Sequence, residues 1–361
     1  MKRFFLSLHV LFMFSGFLFI GFETGRLSAI HGWTWYHVPL FISYFVFSFF
    51  LQIIVHETGH LVAGLISGYS FSMFKLLSFI WVKESGKVTV KKQHAPGLLG
   101  QCLMVPPKDI ASPPYALYHL GGILANLTAA ALAFVVWTLP VSPLVRLGFL
   151  NFAVTGAVLA VINLIPVGAN DGMNLLKSIK SMEHRIQMNQ LLQIHAGLSQ
   201  GKTGQELQGL VYFVADEPLT EGNNATMQSV QALKHTENLD FDQAEQTLRP
   251  LWEQFDHLLD VHKIEVLKEY LFVLLLSKPD DDAVDEIVNN KWFKKYAGIK
   301  QADTKRVLAA HALIKEKDLE KASKLLDEAE KLIDRAPTLT DQNNEKRLVD
   351  HLRNKINEQK D

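Results

Sequence analysis

Apolar residues run almost unbroken through four stretches in the first half of the chain, then give way to a periodic mixture of apolar and charged positions. Phe4 to Phe22 contains no Asp, Glu, Lys or Arg. At about 1.5 Å per residue, a helix of that length crosses the roughly 30 Å hydrocarbon layer of a membrane. The second stretch, Val38 to Gly68, carries one formal charge, Glu57; the third runs from Tyr115 to Thr138, and the fourth from Leu147 until Pro166 interrupts it. Lys2 and Arg3 precede the first stretch, as in a signal peptide. No small-x-small cleavage site precedes Glu23 and three more spans follow, so the first stretch reads as a retained helix.

Between the second and third spans, Phe79-Ile80-Trp81-Val82 and Val88-Thr89-Val90 flank Glu84-Ser85-Gly86-Lys87, the pattern of a β-hairpin within Ser78 to Lys92. Lys75, Lys83, Lys87, Lys91, Lys92 and Lys108 crowd the same loop, whereas the opposite loops offer only Arg26 and Arg146. That bias places the loop and both termini in the cytoplasm. Two readings of the hairpin stand side by side: an edge to which a substrate strand adds, and a membrane-surface hairpin anchored by Trp81 and the lysines.

From about Ser181 onward the chain is rich in Glu, Lys, Asp and Gln. Amphipathic helices are expected there, for example Phe241 to Leu259 and Leu319 to Ile333, with breaks at Lys278-Pro279-Asp280 and Ala336-Pro337. Ala244 and Ala322 sit where paired helices would cross, a pattern similar to tetratricopeptide-like repeats, without a clean period. The expected division is therefore 1–182, an all-α polytopic membrane domain of about four spans with an inserted β-hairpin, and 183–361, a soluble all-α helical domain. The second is either a docking or regulatory module for a protein partner or a solvated bundle with no ligand of its own.

Over all 361 residues the formal net charge is −1, with 48% hydrophobic residues. Such averages fit a soluble two-domain protein equally well, so the division into halves carries the membrane assignment. The charged run Lys315 to Lys331 mixes both signs along one helix, which is a solvated face and not a nucleic-acid patch. The single cysteine, Cys102, falls in the expected cytoplasmic loop and excludes an intrachain disulfide.

Chemistry concentrates inside the second span. His56-Glu57-Thr58-Gly59-His60 puts two histidines one helical turn apart on one face, the spacing for one zinc ion, with Glu57 placed to take a proton from water. An ionisable residue at mid-membrane costs roughly 2.5–3.5 kcal/mol on insertion scales, so the cluster demands a compensating role. A catalytic zinc takes three protein ligands and keeps an open position. Asp171 is the best further donor: Pro166, Gly168 and Gly172 break the fourth helix around it before a helix resumes from Met173 to Ile179, and broken helices at membrane depth line wet cavities. Asp171 as a mere N-cap is the alternative. His94 and His119 rank below it, and His9, His31 and His37 lie near the first span or loop without a motif.

His-Glu-x-Gly-His in a membrane span, followed over a hundred residues later by Asn163-x-x-Pro166 and Asp171-Gly172, resembles the site-2 protease family of intramembrane zinc metalloproteases. The resemblance covers roughly Val38 to Ile179. It implies His56, His60 and Asp171 as zinc ligands and Glu57 as the base. Gly121-Gly122-Ile123-Leu124-Ala125-Asn126 is similar to the family's third membrane motif, which implies Asn126 as a donor to the oxyanion; an interhelical packing bond is the other reading. The family often has Pro after the Gly of that motif and Leu before Asp-Gly, where this chain has Ile123 and Asn170. The implied activity is zinc-dependent hydrolysis of peptide bonds in membrane-associated proteins or peptides, by an integral protein of the lipid bilayer, in a bacterial cell membrane. The rivals are a membrane scaffold with a structural metal site, and a zinc transporter or sensor.

Overall fold

A computed structural model describes residues 2–84, 86–92, 99–107, 115–168 and 170–359. The chain divides into two compact units, Met1–Leu77 with Pro96–Arg185, and Ser78–Ala95 with Ile186–Asp361.

The first unit is built on α1 (Lys2–His31), α2 (Val38–Ile66), α3 (Tyr115–Thr138) and α4 (Pro143–Leu164). All four are long and apolar enough to cross a membrane. Their ends follow local chemistry: Gly32 at φ +65° and Gly68 at φ +78° take backbone angles that close α1 and α2, and α2 and α4 carry Pro39 and Pro143 in their first turns, where a proline needs no hydrogen-bond acceptor. The first helix runs past the expected Phe22, because Glu23 and Arg26 neutralise each other across one turn at 2.7 Å. α2 packs on α3 and α4, α3 on α4, and α1 on α4. A short α5 (Asp171–Lys180) follows the break after α4.

Two strands between α2 and α3 escape the period-two pattern. β1 (Ser70–Leu76) pairs antiparallel with a strand at Gly100–Val105, with a register shift between Phe71 and Met73 that puts an unpaired residue in the strand and breaks its alternation. Cys102, expected in a loop, is therefore a buried strand residue. The expected hairpin is present in the second unit as β2 (Phe79–Glu84) and β3 (Lys87–Lys92), paired from Phe79↔Lys92 to Glu84↔Lys87. The strand at Gly100–Val105 is β4.

The rest of the second unit is helical: α6 (Met182–Ser199), α7 (Gly204–Leu207), α8 (Gly222–Glu237), α9 (Phe241–Glu253), α10 (Asp260–Ser277), α11 (Asp282–Asn289), α12 (Lys291–Ala297), α13 (Ala302–His311), α14 (Leu319–Glu330) and α15 (Leu339–Glu358). The break at Lys278-Pro279-Asp280 separates α10 from α11 as expected. α8 packs on α9, α9 on α10 and α13 on α14, and Ala244 and Ala322 are fully buried. One core joins α8 to α15.

That core encloses a charge. The Arg306 guanidinium, fully buried, binds both oxygens of Glu345 at 2.8 and 3.0 Å, reaches Glu269 at 3.3 Å, and lies 4.0 Å over the Phe272 ring. Removing one member of such a pair strands the other. Glu345→Ala is expected to cost about 3–5 kcal/mol, whereas replacing Arg306 and Glu345 together by Met and Leu costs far less. Denaturant unfolding of the detergent-solubilised protein, followed by helical circular dichroism, checks this, and a Glu345→Ala transition at the wild-type midpoint contradicts it.

Candidate metal centre

The centre begins where α2 and α3 cross. A methyl group on Gly59 would fall 2.5 Å from the Ala125 Cβ and 2.8 Å from the Gly121 carbonyl carbon, so the two backbones touch, and only glycine fits the contact. This close approach brings two acceptors of α3 onto the histidines of α2. The Nδ1 of His60 donates to the Tyr118 carbonyl at 2.8 Å, and the Nδ1 of His56 meets Asn126 Oδ1 at 2.7 Å. With each Nδ1 engaged, each Nε2 carries the lone pair.

Asp171 reaches the same point by a different device. Pro166 has no N–H, so the Ile162 carbonyl one turn earlier loses its helical partner. The Asn170 side-chain amide takes that place, donating to Ile162 O at 2.9 Å and Ile165 O at 2.7 Å, while its Oδ1 accepts from Met173 N at 3.0 Å. Gly168, at φ +68°, supplies the left-handed turn between. Asn170 is thus the N-cap of α5, not Asp171. The Asp171 carboxylate is left free to turn toward α2.

His56 Nε2 lies 2.9 Å and His60 Nε2 3.1 Å from Asp171 Oδ2, and the two Nε2 atoms are 3.2 Å apart. A tetrahedral ion with bonds of about 2.0–2.1 Å separates its ligands by about 3.3–3.4 Å, so the triangle is nearly the size such an ion sets. Among the described residues these three form the cluster of His, Cys, Asp or Glu able to hold a metal ion. The donor set also fits one chemically, since three lone-pair groups face each other. So does the space: a methyl on Gly122 would fall 2.6 Å from each Nε2, so the missing side chain at 122 leaves the open side of the triangle clear.

Glu57 follows His56 and is one turn from His60, and its carboxylate accepts from the backbone N–H of Cys102 in β4. The Cys102 carbonyl accepts in turn from the Tyr118 hydroxyl at 2.8 Å. Both backbone polar groups of Cys102 are therefore engaged, one by Glu57 and the other by Tyr118. Burial, and then the Glu57 charge, push the Cys102 thiol up to about 12, which removes it as a nucleophile at neutral pH.

Asn126 is buried behind His56. Both contacts of its Nδ2 go to Gln52, to the main-chain oxygen at 2.9 Å and to Oε1 at 2.7 Å, which leaves no amide hydrogen for a substrate oxyanion in this arrangement. His119 is buried beside Tyr118 and lies outside the metal cluster. His94 falls outside the described residues. Gln52 and Tyr118 were not singled out from the sequence, and Gly122 and Asn170 appeared there only as motif positions without these roles. Gln52 carried one usable signal, an amide in an apolar span one turn before His56.

No family model, curated protein or solved structure matches the chain.

Gly122→Ala should weaken metal retention by on the order of tenfold or more, the loss typical of a disturbed ligand shell. Gly148→Ala is the control, because a methyl there meets Tyr44 at an ordinary 3.7 Å. Metal content after dialysis against a mild chelator separates the two; equal retention by both variants overturns the reading of Gly122.

Proposed function

We propose that this protein is a zinc-dependent endopeptidase of the site-2 protease type, embedded in a membrane and hydrolysing peptide bonds of membrane-associated proteins or peptides. One observation carries the reading: the lone pairs of His56 and His60 and the carboxylate of Asp171 converge within 3.2 Å, with Glu57 alongside. A structural metal site needs ligands but no neighbouring carboxylate to move protons. A hydrolytic one needs both.

His56, His60 and Asp171 hold the zinc, whose chemistry when bound is Lewis-acid polarisation of water and of the scissile carbonyl. Glu57 takes the proton from the attacking water and returns it to the departing amine. The Cys102 N–H aims the carboxylate for that task, and Asn126 holds His56 from behind. β4 ends the strand order of its sheet, and a methyl on its Gly100 would fall 2.8 Å from Glu57 Oε1, so an extended peptide reaching this end of the sheet would present a backbone carbonyl beside Glu57.

A centre within the bilayer is supported by four helices long and apolar enough to cross a membrane, and a cytoplasmic orientation of the segment between α2 and α3 by its lysines, Lys75, Lys83, Lys87, Lys91 and Lys92 among them. A bacterial cell membrane is the setting we assign. The helical region beyond Glu183 is a cytoplasmic module that selects substrates or receives a protein partner.

Glu57→Gln is expected to keep zinc and to lose peptide cleavage by about 10²–10⁴-fold, the usual contribution of a positioned base. Asp171→Ala is expected to lose both zinc and cleavage, since two imidazoles remain. Bound metal and cleavage of a transmembrane peptide are measured on purified protein. Undiminished turnover by Glu57→Gln removes the base, and zinc retained by Asp171→Ala removes the third ligand. In cells, a membrane protein that accumulates uncut only with Glu57→Gln identifies the substrate.

A further inference from the structure

Gln52 lies one turn before His56 on the same face of α2 and is fully buried, yet it is no metal ligand. Its Nε2 donates to the Phe152 carbonyl of α4 at 3.0 Å. Its Oε1 accepts from Asn126 of α3 at 2.7 Å, and Asn126 Oδ1 faces His56 Nδ1 at 2.7 Å. Each group in this chain works only one way round. The Phe152 carbonyl can only accept, so the end of the Gln52 amide facing it must be the NH₂. That leaves Oε1 toward Asn126, where the Gln52 main-chain oxygen accepts as well at 2.9 Å, so both hydrogens of the Asn126 NH₂ go to Gln52 and its oxygen faces His56. His56 Nδ1 then bears the proton, and Nε2 the lone pair.

We infer that Gln52 is a positioning residue: it relays the polarity of the Phe152 carbonyl through Asn126 to fix the tautomer and ring orientation in which His56 binds metal. The inference rests on the metal reading above. Gly156 belongs to the same device. A methyl at that position would fall 2.8 Å from the Gln52 Cδ, so α4 leaves the space that the Gln52 amide fills. Three helices thereby set the state of one imidazole, and no titration is involved.

The test uses the full-length protein in detergent, with zinc affinity measured by chelator competition and the visible absorption of the cobalt-substituted protein reporting ligand geometry. Gln52→Met keeps the length of the side chain and removes its polarity. Gly156→Ala keeps every polar group and displaces the amide. Asn151→Leu, which removes a buried amide of α4 bonded only to Leu147 O in its own helix, is the control for general loosening. The relay requires zinc affinity to fall about 10–100-fold in the first two variants, with an altered cobalt spectrum, while the control binds as wild type. Wild-type affinity and spectrum in Gln52→Met overturn it, and so does a loss of equal size in Asn151→Leu. If Gln52→Met does not fold, Gly156→Ala decides by the same criteria. A wild-type protein that holds neither zinc nor cobalt overturns both the relay and the metal reading, whereas a metal-binding wild type with an indifferent Gln52→Met overturns the relay alone.

Discussion

Two imidazole lone pairs and a carboxylate held within 3.2 Å of one another repel. The groups must therefore be held from outside it. Each restraint in the first unit does this for one of them: the Tyr118 carbonyl for His60, Asn126 for His56, and the Asn170 amide for the turn that delivers Asp171. The contact of α2 with α3 at Gly59 and Gly121 is the mechanical condition for the first two, because one methyl group in that contact would drive both acceptors away from the rings.

The break between α4 and α5 solves a second problem with the same residue. A chain interrupted at the end of an apolar span exposes carbonyls that lipid cannot satisfy, at a cost of several kcal/mol each. Asn170 answers two of them and caps the next helix with its remaining oxygen. Leu in this place could do neither.

What could be read from the sequence was what depends on short-range spacing. The histidine pair follows from helical periodicity, Asp171 from Pro166 and the glycines near it, and the β2–β3 hairpin from alternation around Gly86. β1 was hidden because the irregularity at Ser72 breaks the alternation that marks a strand, and β4 because Cys102 to Val105 is a continuous apolar run without alternation. The N-cap was misplaced by one residue, since Asn and Asp serve equally well there and only the Ile162 carbonyl left by Pro166 distinguishes them. Gln52 had no legible role, because its meaning lies in Asn126 and Phe152, 74 and 100 residues away.

Buried polarity by itself does not mark a functional centre, and the two units make the distinction concrete. Around Arg306 the opposing charges sit in the chain itself, where a guanidinium meets two carboxylates. At His56, His60 and Asp171 the proton-bearing nitrogens are turned away toward Asn126 and Tyr118, and only acceptors face inward. A group of acceptors facing inward in this way could hold a metal ion. Glu57, held beside them by a backbone N–H of β4, adds the one feature that a purely structural cation would not require.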